Sequence, residues 1–516
     1  MGQDDNAESE SAKAGGGFFR HLFRRGEHLA SGPKSTLDLA DIQGFILRGY
    51  RMPIVRHFLL SVNVPTAARK LLRRLVSGDE SEAPQITTAD EWQVGFEPGH
   101  DDNPAEAPRR KPDYCLNVGI TWPGMLALEI KERVPALSFK SFGAFTSGAA
   151  ERAKLVGDTG PSAPQNWIGA FGKGRDHVLL TLHTLSPHAM KSYSDRLSAL
   201  LAEGDAFREI WRQDGMALME MKDGQPVPTF RVHFGYTDGL SMTTINGGPE
   251  KYPPDHQKPC EPWLFVLQDD AENYFVPEPR ELGLNGSFAC FKMIETDVVG
   301  FENFLQSNKE KIDPELLAAK ICGRWRNGIP LALSPETDSP PGGIPPEQMN
   351  NYEYVNADGS GDPRGVRCPV GAHMRRINPR GQPVTGQGEP GGSNNTHRLI
   401  RRGLPYGPVY DPTKPYDGVE RRLLGYFINS SFENQYEFVL GHWVNDSAFA
   451  WEVRLPPKAK DPMIGMQDPA ESIFAIPQAN GAPPIEIRGF SSFVTTKASA
   501  YCFLPSITAI KFISEL

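Results

Sequence analysis

The amino-acid sequence predicts an α+β fold made of two ferredoxin-like halves, each a β-α-β-β-α-β set carrying long insertions. Two patterns carry that prediction. Strand-like runs rich in Val, Ile, Leu and Phe recur along the chain, and helix-like runs with apolar residues at i, i+3 and i+4 follow them. Stretches dense in Pro, Gly and acidic residues separate the units, as loops between packed elements do.

In order, "RHFLLSVNV" leads into "PTAARKLLRRLVSG", and "YCLNVGITW" into "PGMLALEIKERV". "HVLLTLHTL" precedes "SPHAMKSYSDRLSALLAEG", which completes the first set. Further on, "GSFACFKMIE" precedes "TDVVGFENFLQSN", and "RLLGYFINS" precedes "SFENQYEFVLGHWVND". A Ser or Thr opens three of these helical runs, where a side-chain oxygen can accept from an unpaired backbone N–H. The insertions fall at 79–113, 335–366 and 380–396. These breaks suggest a disordered segment over 1–36, a first domain over 37–227 and a second over 228–516.

The chain has 516 residues, of which 39% are hydrophobic and 23% charged, the balance of a soluble globular protein with room for a large core. Its formal net charge of −9 argues against a general nucleic-acid binder. Six scattered cysteines include no C-x-x-C pair, so neither a disulfide scaffold nor a structural zinc site is expected. No apolar run is long enough to cross a membrane as a helix. The opening "MGQDDNAESESAKAGGG" is polar and acidic, unlike a secretory signal, and a cytoplasmic location is the expectation. "FFRHLFRRGEHL" could form a short basic amphipathic helix or stay frayed in solvent.

Three segments could carry chemistry. In "VHFGYTDGLS", Asp238 lies between Gly235 and Gly239, which permit a tight turn and a close backbone approach. The same letters also describe a turn that only reverses the chain. "RCPVGAHMRRINPR" brings Cys368 and His373 together with Arg375, Arg376 and Arg380, so either a thiolate or an imidazole could be a ligand, or both could be packing. In "HRLIRRGLPYG", Arg401 and Arg402 sit among Leu399, Ile400 and Leu404, which makes full exposure of both unexpected.

Taken together, GxxDG, CPxGAHxRRxNPR and IxRRGxPYG resemble the dye-decolorizing peroxidases, a haem peroxidase family. The resemblance extends to "DLADIQGFILRGY", to "SFGAFTSGAAERAKLVGDTGPSAPQNW", and to "ELGLNGSFACFKMIETDVVGFENFL" with "ELLAAKICGRWRNGIPL", in the family's order. The long loops are similar to those of its larger, C-type or fungal-like members.

The resemblance implies haem b, one per chain, bound mainly by the C-terminal half, with His373 as axial iron ligand. It implies that Asp238 moves a proton on the opposite side of the haem, aided by Arg401, with Arg402 as the alternative if the register slips by one. Hydrogen peroxide would be the oxidant, and dyes, phenolics or other bulky reductants the one-electron donors, by way of a high-valent iron state. Cofactor contacts are expected from Gly235, Gly239, Leu424 and Phe427. Arg375, Arg380 and, less directly, Arg376 and His397 are expected at the propionates. The hydrogen-bond partner of the axial imidazole is expected at Glu437 or Asp446. Gly425 stands where the family commonly has Phe, a departure that slightly favours the alternative of a haem-binding or haem-sensing protein with weak turnover. Self-association into a homo-oligomer is compatible with either reading.

Overall fold

In the computed structural model, residues 37–90, 112–250, 259–268, 277–385, 394–414, 416, 418–450 and 453–516 are described. The expectations for 1–36, including the basic amphipathic run, lie outside them. The first half begins with β1 (Ile54–Val62) and a helix, Pro65–Arg74, whose leading proline has the φ that a first helical turn needs. β2 (Tyr114–Thr121), β3 (Val178–Thr184), a helix at Pro187–Ala202 and β4 (Phe207–Met216) follow. Ser186 caps that helix, its Oγ accepting from Ala189 N at 3.2 Å. A small exposed hairpin, β5 (Met219–Lys222) and β6 (Gln225–Pro228), leads out of the first set.

The second half repeats the pattern with β7 (Ser287–Thr296), a helix at Val298–Ser307, β8 (Ile400–Tyr406) and β9 (Arg422–Asn429). A helical segment from Phe432 to Val444, wound mostly as π turns and capped by Ser431, comes next. A hairpin of β10 (Ile473–Ile476) and β11 (Ile485–Arg488), then β12 (Val494–Leu504) and a terminal helix, Ile507–Glu515, complete the chain.

Eight strands form one antiparallel sheet in the order β4-β1-β3-β2-β12-β7-β9-β8. Within each half the fourth strand flanks the first, and the third lies between the first and second. That is the ferredoxin-like order, twice, joined where β12 meets β2 at Cys502–Thr121 and Phe503–Ile120. We propose 227/228 as the boundary between the halves, which the return of the strand order after the β5–β6 hairpin supports. The sheet curls until its outer strands meet: a methyl placed on Gly215 of β4 would lie 3.3 Å from the carbonyl oxygen of Pro405 next to β8's Leu404. His57 of β1 therefore reaches Phe291 of β7 across the interior, with ring centroids 5.1 Å apart.

Two local expectations change. Thr296 ends β7 and donates to Arg421 O at 3.1 Å, so Asp297, accepting from Gly300 N at 2.7 Å, caps the following helix instead. The single helix expected after β2 breaks into Trp122–Ala127 and Ile130–Arg133, because Glu129 between them takes φ 59°.

The joint between the halves explains "IQG". Gln43 is fully buried, and its Nε2 donates to Val118 O at 2.9 Å and Pro505 O at 2.8 Å. Its Oε1 accepts from Val118 N at 2.9 Å. Next to it, a methyl on Gly44 would fall 2.6 Å from Tyr50 Oη and 2.8 Å from Thr88 O, so only glycine fits. Gln43→Leu keeps the volume but leaves one buried N–H and two buried carbonyls short of a partner. It should lower unfolding stability by on the order of 3 kcal/mol in a denaturant titration; a loss under ~0.5 kcal/mol would show that the carboxamide does not hold this joint.

Candidate functional site

The register of β7, β8 and β9 builds one cavity wall. Opposed residues of paired strands share a sheet face, and neighbours in sequence alternate. Arg401 faces Phe427, Gly403 faces Gly425, Gly425 faces Lys292, and Leu423 faces Ile294. All of these line a cavity of about 1550 Å³ of atom-free space, its open mouth included. Leu424, Tyr426 and Ile428 belong to the buried core. Leu424, named from the sequence, is among the residues that border the cavity, and Leu423, which was not named, stands beside it on the wall opposite Ile294. Phe427 does line the cavity.

His373 opens a short helix, His373–Ile377, and also lines the cavity. Its Nδ1 lies 2.9 Å from Oδ2 of Asp461, which is fully buried. The other carboxylate oxygen of Asp461 accepts from Met463 N at 2.9 Å and Ile464 N at 3.0 Å. Burial alone would raise the Asp461 carboxyl; His373, the Ile464 amide and Arg376 outweigh it and hold the group below its ordinary value. An ionised Asp461 fixes the proton on Nδ1 and leaves the Nε2 lone pair for a ligand. The expected partners, Glu437 and Asp446, are engaged elsewhere. Glu437 pairs with Arg152 at 2.5 Å and accepts from Tyr501 Oη at 2.9 Å, while Asp446 Oδ1 accepts from Ala448 N.

Asp238 approaches the same cavity from a turn in which Gly235 and Gly239 take φ 84° and 76°. Arg326 braces this turn by donating to Phe234 O at 2.7 Å, itself held by Glu302 at 2.7 Å. Neither glycine lines the cavity; they shape the loop that aims Asp238. Arg401 Nη2 donates to Asp238 Oδ1 at 2.9 Å. Arg402 points elsewhere, donating through Nε to Phe45 O at 2.7 Å, which favours Arg401 over the one-residue alternative. The two side chains of the pair are 40% and 37% accessible, yet crowded by protein; their exposure is to cavity space. Burial pushes the Asp238 carboxyl up, but the Arg401 charge, the Gly239 amide, the Arg401 hydrogen bond and His373 together hold it below its ordinary value.

The arginines after His373 do not reach the cavity. Arg375 is fully buried and donates to Cys368 O at 2.6 Å, Asp362 O at 2.7 Å and Gln382. Arg376 donates to Asp446 O at 2.9 Å and Ala459 O at 3.1 Å. Arg380 donates to Tyr352 O at 2.6 Å and Asn350 O at 3.0 Å, its guanidinium over the Tyr352 ring. Backbone carbonyls of loops without regular structure need donors, and these guanidinium groups supply them. His397 likewise stacks on Phe438 away from the cavity wall. Arg398 and Asn378, which lie within the quoted motifs but were not singled out there, line the cavity instead. Cys368 is buried off the wall, and burial pushes its thiol up to about 11, so it is unsuited to being a thiolate ligand.

No family model matches the chain. Peroxidase 2 of Mycetinis scorodonius is 27% identical over 494 residues, covering 92% of this chain and 87% of that protein. Multifunctional dye peroxidase DyP2 of an Amycolatopsis species is 26% identical, covering 77% and 81%. A solved dye-decolorizing peroxidase in complex with 2,6-dimethoxyphenol matches with TM-score 0.74 and 25% identity, over 93% of this chain and 100% of that one. The curated relatives and structural neighbours that this chain is similar to over most of its length are dye-decolorizing peroxidases. Its doubled ferredoxin-like sheet is the fold of those peroxidases.

Haem is the cofactor that these relatives imply, and the residues fit it. Among the described residues no group of three or more His, Cys, Asp and Glu could hold a bare metal ion. A lone imidazole facing a largely apolar slot fits a macrocycle that would supply the remaining metal donors itself. Asp461→Asn keeps an acceptor for the Met463 and Ile464 amides but removes the charge on Nδ1–H. It should weaken haem retention or turnover by about 10–100-fold and shift the reduction potential upward; an unchanged potential would mean that Asp461 does not tune the imidazole.

Proposed function

We propose that this chain, a peroxidase of the dye-decolorizing family, binds one haem b through His373 Nε2 and uses Asp238 with Arg401 to cleave hydrogen peroxide. The reading rests on one observation above all: an imidazole polarised by a buried carboxylate and an Asp–Arg pair line the same cavity. Haem, when bound, supplies an iron that takes up peroxide and holds the oxidising equivalents that dyes or phenols then discharge one electron at a time.

Asp238 has the geometry and charge of a proton carrier. Its carboxylate could take the proton from one peroxide oxygen and return it to the other, which would leave as water. Arg401 would stabilise the negative charge that grows on that departing oxygen, while keeping Asp238 ionised. Leu423 and Phe427 would hold the reacting peroxide in apolar surroundings. A cytoplasmic setting is part of this proposal; it is supported by the low cysteine content, six in 516 residues. No helix among the described residues is long and apolar enough to cross a membrane.

The deciding measurement is the absorption spectrum of haem-reconstituted protein before and after one equivalent of hydrogen peroxide. His373→Ala should lose the ferric Soret band. Asp238→Asn should keep it yet react with peroxide ~10²–10⁴-fold more slowly. Full reactivity in Asp238→Asn would end the proton-carrier assignment, and a Soret band indifferent to peroxide in the natural protein would favour haem binding without turnover.

The pH profile follows from the sign of the Asp238 shift. A carboxyl held below its ordinary value stays ionised as the pH falls, and its activity is lost only below the ordinary range near ~4. Arg401→Leu removes the counter-charge, so burial then raises the carboxyl. The acid limb of peroxide reactivity should move to higher pH in that variant, and an unmoved limb would disconnect Arg401 from Asp238.

A further inference from the structure

We propose that two copies of this chain pair through the open edge of β5, joining their β5–β6 hairpins into one four-stranded antiparallel sheet. Large apolar side chains left in solvent gather at this hairpin. Met216, Met219, Met221, Val227 and Phe230 are 36–70% exposed. Val409, 52% exposed, lines a surface cleft together with Met219, which extends the patch onto the loop after β8. A contiguous exposed apolar patch marks a surface that another molecule covers. The register of the hairpin sharpens it. Opposed residues share a sheet face, so Met219 and Met221 lie with Pro228 and Pro226 on one face, and Glu220 and Lys222 lie on the other.

What covers the patch follows from the two edges of the hairpin. Asp223 and Gly224, with φ 51° and 75°, form a two-residue turn, and in such a turn the closing pair, here Lys222 with Gln225, exchanges the ladder hydrogen bonds. The bond from Thr229 N to Leu218 O, at 2.7 Å, has the same parity. The ladder therefore uses the backbone of Leu218, Glu220 and Lys222 and turns that of Met219 and Met221 outward. On β6 the outward positions are Pro226 and Pro228, which have no N–H, so that edge cannot accept another strand. On β5 the outward groups are complete, and among the described residues its only strand partner is β6. A second β5 fits this edge in one register. Antiparallel pairing about a two-fold axis through Met221 sets Glu220 opposite Lys222 of the partner subunit, twice, at sites between hydrogen bonds where side chains come closest. Centring the axis on Glu220 or on Lys222 would oppose like charges. A two-stranded hairpin is marginal alone in water, whereas four strands that share a face of methionines and prolines are not. From β6 the chain runs on through Thr229, Phe230 and Arg231 along a cavity that Asp238 and Arg401 also line, so the second copy would stand at its rim.

The test is the mass of the full-length, haem-loaded protein in solution, measured by light scattering over a series of concentrations. The expected result is twice the mass of one chain, falling toward one chain on dilution. Glu220→Lys opposes two positive charges across the axis and Lys222→Glu two negative ones, so each alone should raise the dissociation constant by ~10-fold or more. An equimolar mixture of the two variants should recover the dimer, as should the double variant Glu220→Lys/Lys222→Glu. Met221→Pro removes the central N–H, which bonds nothing within the hairpin, and should leave a monomer. All four residues of β5 are exposed, so each variant should keep the Soret band and the phenol oxidation of the natural protein. A single-chain mass at every concentration, a dimer unmoved by Met221→Pro, or a mixture of the two charge variants that stays monomeric would each overturn the inference.

Discussion

Every buried carboxylate around this cavity requires a partner of opposite charge or a set of N–H donors, and the arrangement of the site follows from meeting that requirement. Desolvation of an isolated carboxylate costs more than any one packing contact returns. Asp238 meets it with Arg401, Asp461 with His373 and two amides, and Asp362 with Arg375. Asp158 meets it with Lys292 at 2.7 Å, and Glu437 with Arg152 at 2.5 Å. All but Asp362–Arg375, 13 residues apart, join segments remote in sequence, so the pairing that tolerates the charge also fastens those segments together. The pairs differ in what they leave over. Asp362 is consumed by structure, whereas Asp461 leaves an imidazole nitrogen facing the cavity and Asp238 retains an oxygen beside open space.

The sheet sets which residues can take part. Because it curls until β4 meets β8, one face of β7, β8 and β9 is wrapped around a closed core and the other is left to form a wall. Tyr426 illustrates the inner side: its hydroxyl bonds Thr181 Oγ1 at 2.7 Å, which in turn lies 3.0 Å from His57 Nδ1. This short polar chain satisfies groups that would otherwise be stranded in the core. Tyr426 borders the cavity as well, but one residue either way along β9 the residues opposed across the wall are Gly425 and Phe427. A one-residue slip would exchange the two sets and turn the site inside out.

What was legible in the sequence reflects this division. The strand and helix runs of both halves could be read because periodicity is local, and His373, Asp238 and Arg401 because each sits in a compact motif. Asp461 could not be found, as it lies 88 residues beyond His373 in a stretch, "KAKDPMIGM", whose only local signal is an aspartate able to accept from its following amides. The arginines of "HMRRINPR" misled for a related reason. Charge suggests a charged partner, but the loops around 350–382 and 443–460 leave carbonyls without regular pairing, and their demand for donors claimed all three. Leu423 could not be named because its place on the wall depends on the parity of β9, which only its partners on either side determine.

The glycine pair shows how one constraint can serve two ends. Gly425 is not a side chain trimmed from an otherwise ordinary strand: an added carbon would collide with Arg402 O and, at 2.4 Å, with Gly403 Cα. Close approach of β8 to β9 requires glycine there, and that approach seats Arg401, two residues before Gly403, against Asp238. The same close contact strips the wall of side chains beside the Asp–Arg pair. The feature that the sequence suggests as a weakening of a peroxidase thus follows from the backbone geometry that positions its Arg401, and the space it opens is a consequence of that geometry.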